Sequence, residues 1–111
     1  MTLLDVRPTL EYDAGHIEGS EHIPIGEIKT RSGQVGRDKP IVVVCQIGQR
    51  SALVASFLRE EGYDAVNLVG GLAAWSEAGF PLVSDATPGK LVDGYARDID
   101  GEPLNPKLRP R

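Results

Sequence analysis

The stretch IVVVCQIGQRS (residues 41–51) decides how the rest of this chain is interpreted. Four consecutive apolar residues lead into Cys45, the only cysteine of the protein. An unbroken apolar run of this kind is typical of a strand buried on both faces of a parallel sheet. A short turn follows, and Ser51 then opens an apolar-rich segment over residues 52–61. We therefore predict a strand, a tight loop and a helix with Ser51 as its N-cap.

Cys45 lies where the predicted strand ends and the predicted helix is about to begin. Free backbone N–H groups and the helix dipole converge at such a junction, which makes it a binding site for anions. A thiolate at a helix N-terminus and near a guanidinium such as Arg50 is more acidic than an ordinary cysteine. The alternative is a buried structural cysteine, since free cysteine is among the most buried residue types. Position along the chain leaves both interpretations open.

The loop CQIGQRS after VVVV resembles the active-site loop of rhodanese-like sulfurtransferase domains, where Cys-x-x-Gly-x-Arg-Ser is common in single-domain bacterial members. Four further segments resemble this family in the expected order: LLDVRPTLEYDAGHIEGS (3–20), EHIPIGEI (21–28), GYDAVNLVGGLAAW (62–75) and GFP (79–81). The resemblance implies an α/β fold with a small parallel β-sheet flanked by helices on both faces. Family members usually carry an edge strand and a helix before the LLDVR segment. Because the sequence starts almost at that segment, we expect the N-terminal edge strand to be absent.

The resemblance also implies a function and a site. Cys45 would be the catalytic nucleophile, taking a sulfane sulfur from a donor such as thiosulfate and holding it as a persulfide. Cyanide or a thiol, including a protein thiol, would then accept the sulfur, and no cofactor is implied. The loop that binds the substrate and the persulfide would consist of Gln46, Ile47, Gly48, Gln49, Arg50 and Ser51. The supporting residues would be Asp5 and Arg7, for which a purely structural ion pair is the alternative interpretation.

Two residues of the loop bear on the choice of donor. Arg50 could bind a sulfonate-like anion with its fork of donors, or it could brace the loop through an acidic residue. Ile47 makes the entrance less cationic than in typical thiosulfate enzymes, which weakens the case for thiosulfate as the physiological donor. Gly48 permits the backbone conformation that a tight loop requires.

Two other functions compete with sulfur transfer. Related cysteine phosphatases and arsenate reductases carry arginine six positions after the cysteine, whereas Arg50 follows Cys45 by five positions. A loop one residue shorter forms a smaller cradle, which suits one sulfur atom better than a tetrahedral phosphate. The other alternative is a non-catalytic rhodanese-like regulatory or binding module. Such modules often lack the cysteine, whereas this sequence keeps both Cys45 and a complete loop.

The composition agrees with one small globular domain. The chain has 111 residues, of which 41% are apolar and 25% charged, and its net charge of -4 gives no support for a nucleic-acid partner. It has no stretch of about 18 apolar residues and no visible signal peptide, so we expect neither a membrane span nor export. A lone cysteine fits a reducing cytoplasm. His16 and His22 lack further ligands at suitable spacing, and no metal site is predicted.

The remaining pattern predicts alternating strands and helices. Strands are expected at residues 2–6 and 65–69, and helices at 9–13, 24–30 and 72–78. The helix that follows the loop is apolar on nearly every side, and we therefore expect it to be packed within the fold. Residues 1–83 would form the rhodanese-like domain. Residues 84–111 are rich in proline and glycine and read as a C-terminal extension or tail. Four apolar residues could pin this tail to the domain: Val92, Tyr95, Ile99 and Leu104.

Overall fold

Strands and helices alternate along the chain. The computed structural model describes residues 1–84 and 98–102. Its strands are β1 (Thr2–Asp5), β2 (Glu21–His22), β3 (Ile41–Val44) and β4 (Ala65–Asn67), and its helices are α1 (Thr9–Ala14), α2 (Ile28–Arg31), α3 (Gln49–Glu60) and α4 (Gly71–Glu77). Short 3-10 turns, Ile25–Glu27 and Ser32–Gln34, lie on either side of α2.

The four strands form one parallel sheet in the order β2-β1-β3-β4. Strand β3 pairs with β1 on one side, Val43 opposite Leu4, and with β4 on the other, Val43 opposite Asn67. Because parallel strands end at the same edge, Cys45 emerges between the carboxyl ends of β1 and β4. The α/β class and the parallel sheet predicted from the sequence are confirmed.

The side chains of β3 alternate between the two faces of the sheet, and both faces are covered. Ile41, Val43 and Cys45 join the larger apolar cluster, which includes Ile28 of α2 and three residues of α3: Val54, Ala55 and Leu58. Val42 and Val44 belong to the smaller cluster on the other face, with two residues of α4: Leu72 and Trp75. The helices therefore flank the sheet on both faces, as predicted, and β3 is buried on both sides.

The start and the burial of α3 differ from prediction. The helix begins at Gln49, with Gly48 at the N-cap in the left-handed region at φ 96°. Ser51 lies within the first turn, so its prediction as the N-cap is wrong: glycine lets the chain enter the helix earlier. The helix is also not packed within the fold on every side, contrary to prediction, because Leu53 is 52% exposed while Leu58 is fully buried. It covers one face of the sheet with one side and presents the other side to solvent.

Other boundaries shift by a few residues. Strand β2 was not predicted, since two residues carry no readable alternation. The helix expected at residues 24–30 is a 3-10 turn followed by the four residues of α2, and β4 ends at Asn67, two residues earlier than expected. Leu68 and Val69 lead instead into the turn at Gly70 and Gly71, which brings α4 against the loop after β3.

Little of the predicted tail lies within the described residues. Ile99 packs against the larger cluster, and Asp100 forms an exposed ion pair of 2.7 Å with Lys29. The other proposed anchors, Val92, Tyr95 and Leu104, lie outside the described residues, and the domain boundary at residue 83 stays a prediction. Among the helices of the described part, none has the length and apolar character that crossing a bilayer requires.

Candidate active site

The sulfur of Cys45 is surrounded by hydrogen-bond donors from the loop that follows it. Backbone N–H groups of Gly48 and Ser51 donate to Sγ over 3.2 and 3.3 Å, and the Ser51 hydroxyl lies 3.2 Å from it. Cys45 and Ser51 are both fully buried. Several donors aimed at one buried sulfur stabilise it as an anion, because they replace the water that the thiolate would otherwise need.

These donors decide the acidity of the thiol. Burial alone raises the pKa of Cys45, since it disfavours the charged form. The Ser51 hydroxyl and the backbone N–H groups of Ser51, Gly48 and Ile47 act in the opposite direction and outweigh burial, so the pKa of Cys45 lies below its ordinary value. The structure thus favours a reactive thiol over the inert buried cysteine considered above.

The loop is oriented by the first turn of α4. The N–H groups of Leu72 and Ala73 donate to the carbonyl oxygens of Cys45 and Gln46, each over 2.9 Å. In a trans peptide the carbonyl and the next N–H point in opposite directions. With these two carbonyls held by α4, the N–H groups of Gln46 and Ile47 are directed away from that helix, and the N–H of Ile47 is among the donors that lower the pKa of Cys45. The otherwise unpaired donors at the start of α4 thereby set the polarity of the loop.

Gly71 makes this approach possible. Its φ is 59°, and a Cβ there would overlap the carbonyl oxygen of Cys45 and the carbonyl of Gln46. A Cβ on Gly48, at φ 96°, would lie 3.0 Å from the backbone nitrogen of Gly70. Any side chain at Gly71 would push α4 away from the loop. The sequence suggested only a turn at this glycine pair, and its contact with the loop was missed.

Asn67, at the end of β4, is a site residue that the sequence analysis missed. Its Nδ2 donates to the Gly48 carbonyl over 3.0 Å, and its Oδ1 lies 2.5 Å from the Ser51 hydroxyl. Because a carbonyl can only accept, Gly48 fixes the orientation of the amide and turns Oδ1 toward Ser51. The single hydroxyl proton of Ser51 therefore has two possible acceptors, Asn67 and the sulfur of Cys45. A polar residue ending the strand next to β3 was the available signal.

Arg50 is held by Glu11 of α1, which the sequence analysis also missed. Two hydrogen bonds of 3.3 Å join the two terminal nitrogens of the guanidinium to the two carboxylate oxygens. Burial lowers the pKa of Arg50, but Glu11 and then the nearby Cys45 sulfur raise it above its ordinary value. Of the two roles left open for Arg50, the structure contains the contact with an acidic residue.

Asp5 and Arg7 form a buried pair at the end of β1, with 2.8 Å between their closest charged atoms. Arg7 also donates to the Gly15 carbonyl over 2.7 Å and reaches the side-chain oxygen of Gln46 at 3.5 Å. The pair therefore contacts the loop through one side chain while it ties β1 to α1. The two loop residues not yet placed, Ile47 and Gln49, are exposed.

A parallel α/β domain with its cysteine in a donor-lined loop after the central strand is the architecture of rhodanese-like proteins. The family model described as "Rhodanese-like domain" matches residues 1–78, and the chain belongs to this family. A sulfurtransferase of Allochromatium vinosum is 34% identical over 83 residues, which is 74% of this chain and 78% of that protein. The crystal structure of a rhodanese-related protein from Thermoplasma volcanium superposes with a TM-score of 0.72 at 40% identity, covering 74% of this chain and 82% of that one.

Other relatives are longer than this chain. YrkF of Bacillus subtilis, provisionally named a sulfur carrier protein, is 35% identical over 68% of this chain and 42% of its own length. YqhL of the same organism is 39% identical over 66% of this chain and 59% of its own length. The chain therefore spans about half the length of these two relatives. Together the matches support sulfur transfer as the function at the level of the family.

Proposed function

We propose that this domain is a sulfurtransferase that moves a sulfane sulfur from a donor to an acceptor through a persulfide on Cys45. The observation that carries this proposal is the shell of donors on Sγ, from the N–H groups of Gly48 and Ser51 and from the Ser51 hydroxyl. Such a shell stabilises the attacking thiolate, and loop N–H groups can then meet the negative outer sulfur of a persulfide.

The chemistry needs no outside oxidant or reductant. With thiosulfate, the Cys45 thiolate attacks the outer sulfur and forms a new S–S bond. The S–S bond of the donor breaks, and sulfite leaves with its electron pair. In the second step a nucleophile, cyanide or a thiolate, attacks the outer sulfur of the persulfide and releases the Cys45 thiolate. The reaction is two-step covalent catalysis with ping-pong kinetics.

The geometry argues against phosphoryl transfer. A transferring phosphoryl group has three oxygens whose charge must be met by cations or by a wide ring of N–H donors. Here the donors converge on the sulfur itself, and the guanidinium of Arg50 is already paired with Glu11. We therefore place sulfur transfer ahead of phosphatase or arsenate reductase chemistry.

The donor and the acceptor remain part of the proposal. A thiol of a small molecule or of a protein is a suitable acceptor, and the YrkF relative is itself named a sulfur carrier protein. A reducing compartment such as the cytoplasm would keep Cys45 available, because thiolate is the reactive form.

Steady-state kinetics test the proposal. With thiosulfate and cyanide varied together, we expect the parallel reciprocal plots of a ping-pong reaction and no turnover by Cys45→Ser. An aryl phosphate, assayed on the same preparation, should not be hydrolysed at a comparable rate. Transfer that persists in Cys45→Ser, or phosphate hydrolysis that rivals sulfur transfer, would overturn the proposed function.

A further inference from the structure

The entrance to the site is less cationic than its sequence suggests. Arg50 is the only charged residue of the loop, residues 46–51. Its guanidinium is a quarter exposed and the Glu11 carboxylate 39% exposed, so the pair lies at the surface beside the cysteine. Both terminal nitrogens of Arg50 face both oxygens of Glu11, which is the two-point geometry by which arginine would also recognise a sulfonate.

An anionic donor would have to compete with Glu11 for that guanidinium. Thiosulfate carries two negative charges, and sulfite, its leaving group, carries the same charge away. While Glu11 holds Arg50, its carboxylate offsets the positive charge that the guanidinium would otherwise present near Cys45. A neutralised guanidinium attracts a sulfur oxyanion less, and the loss is largest where water is partly excluded.

The exposed residues of the loop are uncharged, and two exposed apolar side chains lie in the loop and on the neighbouring turn. The Ile47 side chain at the tip of the loop is 56% exposed, and Val69 is 83% exposed. Val69 lies between Leu68 and Gly70, whose backbone atoms approach Gly48 closely. An entrance of this composition suits a donor that carries an organic group more than it suits a small, strongly hydrated oxyanion.

We propose that Glu11 is a specificity residue, which closes Arg50 to sulfur oxyanions and thereby selects persulfides, R–S–SH, over thiosulfate as donors. This inference rests on the proposed function of the domain. The Cys45 thiolate would attack the outer sulfur of the persulfide and form a new S–S bond. The S–S bond of the donor breaks, and its inner sulfur leaves as a thiolate with the electron pair, while the proton stays on the transferred sulfur.

The first test reads the charge at the entrance without requiring sulfur transfer. Iodoacetamide and iodoacetate alkylate a thiolate by the same reaction but differ by one negative charge. We expect Glu11→Gln to raise the ratio of the iodoacetate rate to the iodoacetamide rate by about 2- to 5-fold, the size expected of one partly exposed charge. Changes in the acidity or accessibility of Cys45 affect both reagents alike and cancel in the ratio.

Two variants serve as controls. Glu60→Gln makes the same change in net charge at the far end of α3 and should leave the ratio unchanged. Glu11→Gln combined with Arg50→Ala should lose the gain, because the freed guanidinium is gone. An unchanged ratio in Glu11→Gln, or an equal rise in Glu60→Gln, would overturn the assignment of Glu11 even if the domain transfers sulfur.

The second test uses turnover. We expect Glu11→Gln to lower KM for thiosulfate by about 2- to 5-fold at unchanged kcat, because the variant frees a binding group for the ground state and the transition state alike. A persulfide of N-acetylcysteine methyl ester, which lacks a sulfonate and a carboxylate, should show no such gain and should exceed thiosulfate in kcat/KM with the wild type. A fall in kcat for both donors would show that Glu11 only supports the loop, which contradicts the proposal.

Discussion

Replacing Ser51 by alanine isolates the hydroxyl from the other donors on the Cys45 sulfur. The change removes Oγ, which lies 3.2 Å from Sγ, and keeps the backbone N–H groups of Ser51 and Gly48. It also leaves the Oδ1 of Asn67 without the hydroxyl that it contacts. The thiolate should therefore be destabilised while the loop keeps its path.

The magnitude follows from the competition between Asn67 and the sulfur. A hydrogen bond to a charged group contributes about 1.5–3 kcal/mol. The hydroxyl has one proton and must turn away from Asn67 in order to serve the thiolate, so the lower value applies. Because about 1.4 kcal/mol corresponds to a factor of ten, the thiolate population below the thiol's pKa should fall about tenfold.

The assay is the rate of Cys45 alkylation by iodoacetamide as a function of pH. At a pH below the midpoint of the wild type we expect Ser51→Ala to react about ten times more slowly. At high pH, where both proteins are fully ionised, the two rates should converge. Ser56→Ala, an exposed serine on the same helix, is the matched control and should behave as the wild type. Equal rates at low pH, or an equal deficit at every pH, would refute the role given to the hydroxyl.

Three further changes test other parts of the structure. Gly71→Ala should abolish most sulfur transfer, because the new Cβ would displace the Cys45 carbonyl. The control is Gly79→Ala, which is also at positive φ but has no close neighbour. It should lower the unfolding free energy by only about 1–3 kcal/mol. Arg7→Ala leaves the buried carboxylate of Asp5 without its ion-pair partner and should lower the unfolding free energy in urea titrations by about 3–5 kcal/mol. The exposed Arg31→Ala is the control and should lower it by at most about 1 kcal/mol. Folding lowers the pKa of Cys45, so the ionised thiol stabilises the folded protein. This stabilisation is fully present above the pKa of the unfolded thiol and is lost as pH falls through the folded pKa. The difference in unfolding free energy between wild type and Cys45→Ala should therefore rise with pH between these two pKa values.

The central strand and its cysteine could be predicted because local composition determines them. A short apolar run rich in β-branched residues favours a strand buried inside a sheet, and the helix that follows places its first N–H groups at the end of that strand. The start of α3 was missed by three residues because a left-handed glycine at Gly48, unlike a serine N-cap, leaves no distinct mark in the sequence.

The contacts that Asn67 and Glu11 make with the loop could not be predicted from the sequence, because each residue comes from a distant segment. Asn67 reaches Ser51 only through the register that sets Val43 opposite Asn67. Glu11 reaches Arg50 across 39 positions of the chain. These contacts depend on strand register and on the approach of α1, which follow from packing of the whole domain and not from any local pattern.

The most direct test of the central claim is the intact mass of the protein after treatment with a sulfane donor and removal of the excess. We predict that millimolar thiosulfate or an alkyl persulfide adds about 32 Da, one sulfur atom, and that cyanide removes it. Peptide mass mapping should place the added sulfur on Cys45, and Cys45→Ser should gain no mass. An unmodified wild-type mass with both donors, or a sulfur adduct that persists in Cys45→Ser, would contradict a persulfide on Cys45.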